Sequence, residues 1–414
     1  MRESMLNISR RRALKTLGAG GVIGLAGCSG GGNSTNSSSG GNAATSSGSS
    51  TSSESSTSSG NQQLHFGFVN MGYGGAWLRS FEYGFKWYCQ DKGIKTSITD
   101  GKGDASTQVQ RSLDLLRKDI DAFFISPIDS KALVKVVEKA KGKGIPVFTA
   151  NSTASTKDVK LFTAFGNDKA AATCADNLVQ LLKKRTGSAS GDVIELVLPQ
   201  KSHTFKQRHT GFDNRIKKES DVNIINQVSI TSGQTSEVVK KLSPVLQRNP
   251  NVDAIYCPDQ DTGLGAVTAL ENANMKKKAG NDGHVMVSSI DASHAVLKNI
   301  KQGYMDLVVD QPNFFYLPIS VHYAQKYIEA GNDDSVLPQP GQKITASDLT
   351  ISGNKHMGVN VWQKPLWAPA NIIDVDVSDG KQTQFETSGI VITKDSKIID
   401  APYLWGNLSP KYSG

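Results

Sequence analysis

The chain has little of what would mark an enzyme or a disulfide-stapled domain. It contains four cysteines in 414 residues. Of these, Cys89, Cys174 and Cys257 fit no zinc or redox spacing, and their odd number forbids complete internal pairing, so they read as buried apolar residues. No H-E-x-x-H, C-x-x-C or P-loop pattern occurs, and the seven histidines are scattered. Asp374–Gly380 begins like a calcium loop, but its glycine comes one place late. Phe385 also stands where a glutamate would close the loop, so a β-turn is expected there. With no nucleophile and base set to assemble, neither an enzyme nor a cofactor is expected. A clustered basic face is missing too. About half of the net charge of +8 lies in residues 1–27, and Lys276-Lys277-Lys278 reads as a solvated loop, which argues against nucleic acid.

The apolar segment Leu17–Ala26 is too short to be a permanent membrane span, which needs about 20 residues. It follows Ser9-Arg10-Arg11-Arg12-Ala13-Leu14-Lys15, and together they resemble an export signal of the twin-arginine type. The segment runs into Leu25-Ala26-Gly27-Cys28, which resembles the lipobox of prokaryotic lipoproteins. In that reading residues 1–28 are a signal, Cys28 carries the lipid, and the protein is anchored at the outer face of the cytoplasmic membrane. The alternative is plain signal cleavage with Cys28 incidental. Gly27-Cys28-Ser29-Gly30-Gly31 fits the nucleophile-elbow pattern, but no strand precedes it and the match is spurious. Residues 29–63, almost entirely Ser, Gly, Thr and Asn, cannot bury enough apolar surface to offset chain entropy. They are expected to be a disordered tether with a reach of roughly 30–35 Å.

From Leu64 the chain follows one grammar. In Val252–Leu270 an apolar strand, Val252–Tyr256, breaks into a polar turn, Pro258–Gly263, and then into a helical pattern. Asp121–Asp129, Ile145–Asn151, Val193–Gln200, Val285–Asp291 and Met305–Pro312 likewise run from apolar strand to polar end. Helical stripes such as Phe81, Phe85 and Tyr88 fall between strands, and this alternation argues for βαβ units and a parallel sheet. The pattern restarts after Phe162–Gly166. Two successive sets imply an α/β protein of two Rossmann-like lobes, with polar strand ends gathered where an open sheet binds ligands and a cleft between the lobes.

Several motifs in order carry a family resemblance: Ser126-Pro127-Ile128-Asp129-Ser130, Ile145-Pro146-Val147, Arg208-His209-Thr210-Gly211-Phe212, Asn249–Ile255, Ile290-Asp291 and Gly303-Tyr304-Met305. Over roughly Leu64–Gly331 the chain resembles the ribose-binding-protein branch of ABC-transporter substrate-binding proteins, the type I periplasmic binding protein fold. The resemblance implies two lobes joined by a three-segment hinge, with crossings near Phe165–Asn167, near Asp310–Pro312 and once more near the C-terminus. The lobes would comprise residues 64–166 plus 311–386 and residues 167–310 plus 387–414.

The resemblance also implies ligand positions. Trp77, with Tyr73, occupies the loop that supplies aromatic stackers. Ser126 follows strand three. Asn151 stands where Asp is frequent, with Ser152 in place of the Arg that follows. Arg208 precedes Gly-Phe, and Asp259 takes the place of an Asn. Asp291 matches the family Asp, and the hinge Gln falls on Asp310, with Gln311 next to it. Such groups suit a sugar: carboxylates accept paired hydroxyls, the guanidinium donates a planar fork and an indole covers C–H surface. Each Asp is equally of the type that caps the helix after a strand. Phe205 and Gln260 are weaker candidates.

The implied function is capture of a small sugar by a monomer that hands it to ABC permease subunits. A nucleoside or other polar signal feeding a sensory receptor is the alternative. A regulator of similar fold would carry a DNA-binding headpiece where this chain has an export signal. In residues 332–386, Asn354–Pro369 reads as a surface loop that clads the protein, covers the cleft rim or docks a permease. Thr387–Lys394 resembles a closing strand.

Overall fold

The computed structural model describes residues 63–200 and 202–412. The expected export signal, Cys28 as the expected lipidation site and nearly all of the expected tether lie outside the described residues.

Two sheets organise the chain. The first has eight strands: β1 (His65–Asn70), β2 (Lys95–Asp100), β3 (Ala122–Ile125), β4 (Val147–Ala150), β5 (Leu161–Phe165), β11 (Lys343–Ile344), β12 (Ala370–Val377) and β13 (Gly380–Thr387). Their order is β11-β12-β13-β5-β4-β3-β1-β2. The second has six: β6 (Ser190–Val197), β7 (Asp221–Ser229), β8 (Ala254–Cys257), β9 (Met286–Ile290), β10 (Leu307–Asp310) and β14 (Ile390–Thr393), in the order β14-β10-β9-β8-β6-β7. The strands from β1 to β10 pair in parallel within their sheets, and β13 joins β5 in parallel. Helices on both faces bury the central strands, so Ala122-Phe123-Phe124-Ile125 is apolar throughout instead of alternating.

The first lobe carries α1 (Ala76–Asp91), α2 (Ala105–Leu115), α3 (Val134–Gly142) and α9 (Tyr316–Glu329). The second carries α4 (Asn167–Thr186), α5 (His203–Ile216), α6 (Thr235–Arg248), α7 (Gln260–Asn272) and α8 (His294–Gln302). The backbone changes sheet three times: from β5 into α4, from β10 through a short 3-10 turn at Asn313–Phe315 into α9, and from β13 into β14. Each strand-to-helix turn leaves polar residues at the carboxyl edge of its sheet. Cys89, Cys174 and Cys257 are buried and unpaired, as apolar core residues are.

Three features refine the sequence reading. The helix after β8 begins at Gln260, not beyond Gly263, because Asp259 caps it: its carboxylate accepts the Thr262 amide at 2.8 Å while the Thr262 hydroxyl closes a capping box. The turn expected at Asp374–Gly380 is the tip of an antiparallel hairpin, β12–β13, which adds to the first sheet. Residues 345–369 clad the outside of α1. Asp91 accepts from the Asn354 amide (2.8 Å) and side chain (2.9 Å), His356 stacks on Trp87 with ring centres 4.9 Å apart, and Trp362 and Trp367 are buried.

The C-terminal segment also differs from the expected lobe assignment. Residues 394–404 pack on the second lobe. The short helix α10 (Trp405–Leu408) lies between α8 of the second lobe and α1 of the first, and the chain beyond it up to Tyr412 docks on α1.

Candidate functional site

At the carboxyl edge of the second sheet one guanidinium gathers the turns. Arg208, one turn and a half into α5, is buried. Its Nε donates to Asn167 Oδ1 at 2.9 Å, and its Nη1 donates to the Pro258 carbonyl at 2.6 Å and to Asp291 Oδ2 at 3.3 Å. Phe205 lies one turn earlier on the same helix face, its ring centre 5.9 Å from the guanidinium carbon. A single planar fork therefore ties the turn after β8, the turn after β9 and the first hinge crossing.

Asp291 has a positive φ of 76°, the left-handed conformation that an Asp tolerates at a cost. The strained turn aims its carboxylate between Arg208 and Gln311. Gln311 donates through Nε2 to Asp291 Oδ1, and the Tyr316 hydroxyl donates to Gln311 Oε1 at 2.6 Å. Tyr316 belongs to α9 of the first lobe, so the Asp291 carboxylate is held from both lobes.

Asp310 ends β10 beneath this pair and is fully buried. Its Oδ1 accepts the Ala292 amide and the Trp405 indole N–H, both at 2.8 Å, and its Oδ2 has no partner among the described residues. Its Oδ1 is committed to the turn after Asp291 and to the C-terminal segment. Burial, reinforced by the charge of Asp291, pushes its carboxyl up to about 7. Asp259, occupied by its cap, is pushed up to about 6 by burial, with Asp261 and Asp291 raising it further.

The Asp310 shift fixes a sign. Its folded value lies above the ordinary carboxylate value, so the stability gained by keeping it protonated is complete below about pH 4 and is lost as pH rises towards 7. Asp310→Asn keeps an oxygen for both donors and cannot ionise. Urea denaturation at pH 5 and pH 8 should show the wild type losing a few kcal/mol more than the variant over that interval. Asp259 and His284 are shifted in the same sense, so the difference between the two proteins isolates Asp310. Parallel pH curves would refute the assignment.

The first lobe presents its own set. Trp77, at the start of α1, is half-buried and stacks on Phe81 with centroids 5.6 Å apart. Its indole nitrogen is buried without a partner among the described residues. Tyr73 is half-buried, and burial near Glu82 and Asp100 raises its hydroxyl above the ordinary value. Asn151 follows β4 with φ 64° and places its side-chain nitrogen 3.9 Å from the Met71 sulfur, joining the ends of β4 and β1. Ser152 is turned away, donating to the Pro127 carbonyl. Ser126 is fully buried, its hydroxyl unpartnered among the described residues, and it offers no surface here.

The contacts thus sort the candidates into two groups. Arg208, Asp291, Asp259 and Phe205 form one at the edge of the second sheet. Tyr73, Trp77 and Asn151 lie at the edge of the first. Sequence reasoning missed Asn167 and Tyr316, which position the central pair, and gave Gln311 no role. The signal available was position alone: Asn167 and Gln311 sit on the first two crossings.

A family model described as periplasmic binding protein domain matches residues 66–332. The chain belongs to that family. Among curated relatives, this periplasmic binding protein is 25% identical over 232 residues to the ribose import binding protein of Bacillus subtilis, covering 56% of this chain and 71% of that one. It is 24% identical over 293 residues to the galactofuranose-binding protein of Escherichia coli, covering 69% and 86%. Among solved structures, a carbohydrate transporter solute binding protein from Agrobacterium radiobacter in complex with D-arabinose superposes with a TM-score of 0.62 at 18% identity, over 82% of this chain and 99% of the other. That likeness is one of fold: two α/β lobes and a hinge of three crossings. An extracytoplasmic location goes with the family. No helix among the described residues is long and apolar enough to cross a membrane.

Proposed function

We propose that this protein captures a small neutral sugar between its lobes and delivers it to an ABC permease, held at the membrane through Cys28. The observation that carries the reading is the buried Arg208–Asp291 pair, fixed at the carboxyl edge of the second sheet by residues of two hinge crossings. A carboxylate beside a guanidinium offers an acceptor and a donor at the spacing of vicinal hydroxyls, and Trp77 and Tyr73 supply ring faces for C–H surface. Asn151 and Asp259 add polar contacts from opposite lobes. Ser126 and Asp310 lie buried at the strand ends behind them, each with a side-chain oxygen that has no partner among the described residues. The relatives named for ribose and galactofuranose support the sugar class.

Groups on both lobes meet one ligand only when the lobes are closed. The sugar therefore stabilises the closed form by its differential affinity, and no covalent step is involved. Thermal unfolding against pentoses, hexoses, disaccharides, nucleosides and amino acids tests this. A sugar that binds only the folded form adds about 2.7 kcal/mol at a hundredfold excess over its dissociation constant. One or a few sugars should raise the midpoint. A response confined to nucleosides or amino acids, or none at all, would overturn the sugar assignment.

A further inference from the structure

Three crossings join the lobes, yet the chain spans them once more after the last. Residues 394–404 are bound to the second lobe: Leu404 is buried in its apolar cluster with Val296 and Ile300 of α8, and Asn407 donates back to the Ile399 and Ala401 carbonyls at 2.9 and 3.0 Å. The next residue, Trp405, is buried in the larger cluster that runs across both lobes, with Phe81 and Tyr316 of the first and Ile290 and Val309 of the second. Its indole N–H is spent on Asp310, whose carboxylate fixes the amide following Asp291. A Cβ at Gly406 would overlap the Ala292 carbonyl, so the segment lies directly on the backbone of that turn.

Its far end is docked on the other lobe. The Tyr412 ring meets Tyr83 of α1 with centroids 5.1 Å apart, and the Tyr412 carbonyl accepts from Arg79 at 3.2 Å. Lys411 donates to the Met357 carbonyl at 3.1 Å, and Met357 belongs to the segment that clads α1. The Tyr412 hydroxyl reaches the Trp405 carbonyl at 3.3 Å, closing the segment on itself.

We propose that residues 405–412 are an interlobe strap, a fourth connection that sets how far the lobes open and keeps the Asp291 turn in register with α1. Opening the cleft must either lift Tyr412 from α1 or drag Trp405 from Asp310. The strap thus adds a cost to opening that a three-crossing hinge lacks. Only the statement about what Asp291 binds rests on the sugar reading.

The test needs no ligand. In the full chain with Cys28→Ser, spin labels at Lys135→Cys on α3 and Lys240→Cys on α6, both exposed helical positions, report the interlobe distance. With the strap intact the distance distribution should be narrow. Deletion of residues 405–414, and separately Tyr412→Ala, should shift the mean and broaden the distribution while far-ultraviolet circular dichroism stays unchanged. If the deletion fails to fold, Tyr412→Ala decides. Distributions that match the unsubstituted chain in mean and width would overturn the proposal, whatever the sugar panel finds.

Discussion

Arg208→Ala should cost roughly 3–5 kcal/mol of stability and abolish ligand binding, because it leaves a buried carboxylate without its cation. The Asp291 side chain is nearly inaccessible, and the Pro258 carbonyl and the Asn167 side-chain oxygen lose their donor in the same step. Arg208→Lys should recover little, since one ammonium cannot serve three acceptors spread around a planar fork. Adding Asp291→Asn to Arg208→Ala removes the orphaned charge and should return part of the lost stability. Urea midpoints for the wild type, Arg208→Ala, Asp291→Asn and the double variant form a double-mutant cycle. Additive losses across that cycle would mean that the two side chains do not depend on each other, and the site as described would fall.

Gly211→Ala should be the second large effect. Helix α5 crosses the start of α4 so closely at this position that a methyl group would overlap the Asp168 carbonyl. Alanine ordinarily stabilises a helix interior by up to about 1 kcal/mol over glycine. Here the clash is with backbone, which cannot swing aside, so the cost should lie at the upper end of the roughly 1–3 kcal/mol typical of overpacking. Arg208 sits three residues earlier on the face that Gly211 shares, so displacing α5 also moves the guanidinium away from Asp291. Gly142→Ala, at a helix position with open space around it, provides the control and should be neutral or mildly stabilising. Equal effects at the two glycines would show that α5 accommodates the methyl group.

The repeated passage from apolar strand to polar end was enough to place the strands from β1 to β10 and the two lobes, because parallel strands buried on both faces need continuous apolar runs. The polar strand ends were legible for the same reason. Which of them reach into the cleft was not. Asp310 looks like Asp291 in sequence, yet its Oδ1 is claimed by the Ala292 amide and by an indole 95 positions away, and Asp259 reaches the sheet edge only while capping a helix. The hairpin β12–β13 escaped because its outward positions are polar and its partner β5 is remote. The roles of Asn167 and Tyr316 are set by contacts across the lobes, which no local pattern records.

The place of β13 has a consequence for how the molecule is made. Thr387 bonds the Ala164 carbonyl, 223 positions earlier in the chain, and β13 covers the side of β5 away from β4. During synthesis β5 exists long before β13 emerges, and for that interval it is an uncovered sheet edge with the sequence Leu161-Phe162-Thr163-Ala164-Phe165. An apolar edge of this sort is a template for pairing with another nascent chain. Completion of the first sheet is therefore a late, long-range event of high contact order and should govern the folding rate. A chain cut short of residue 380 would keep its second sheet nearly whole and still be prone to aggregate through β5.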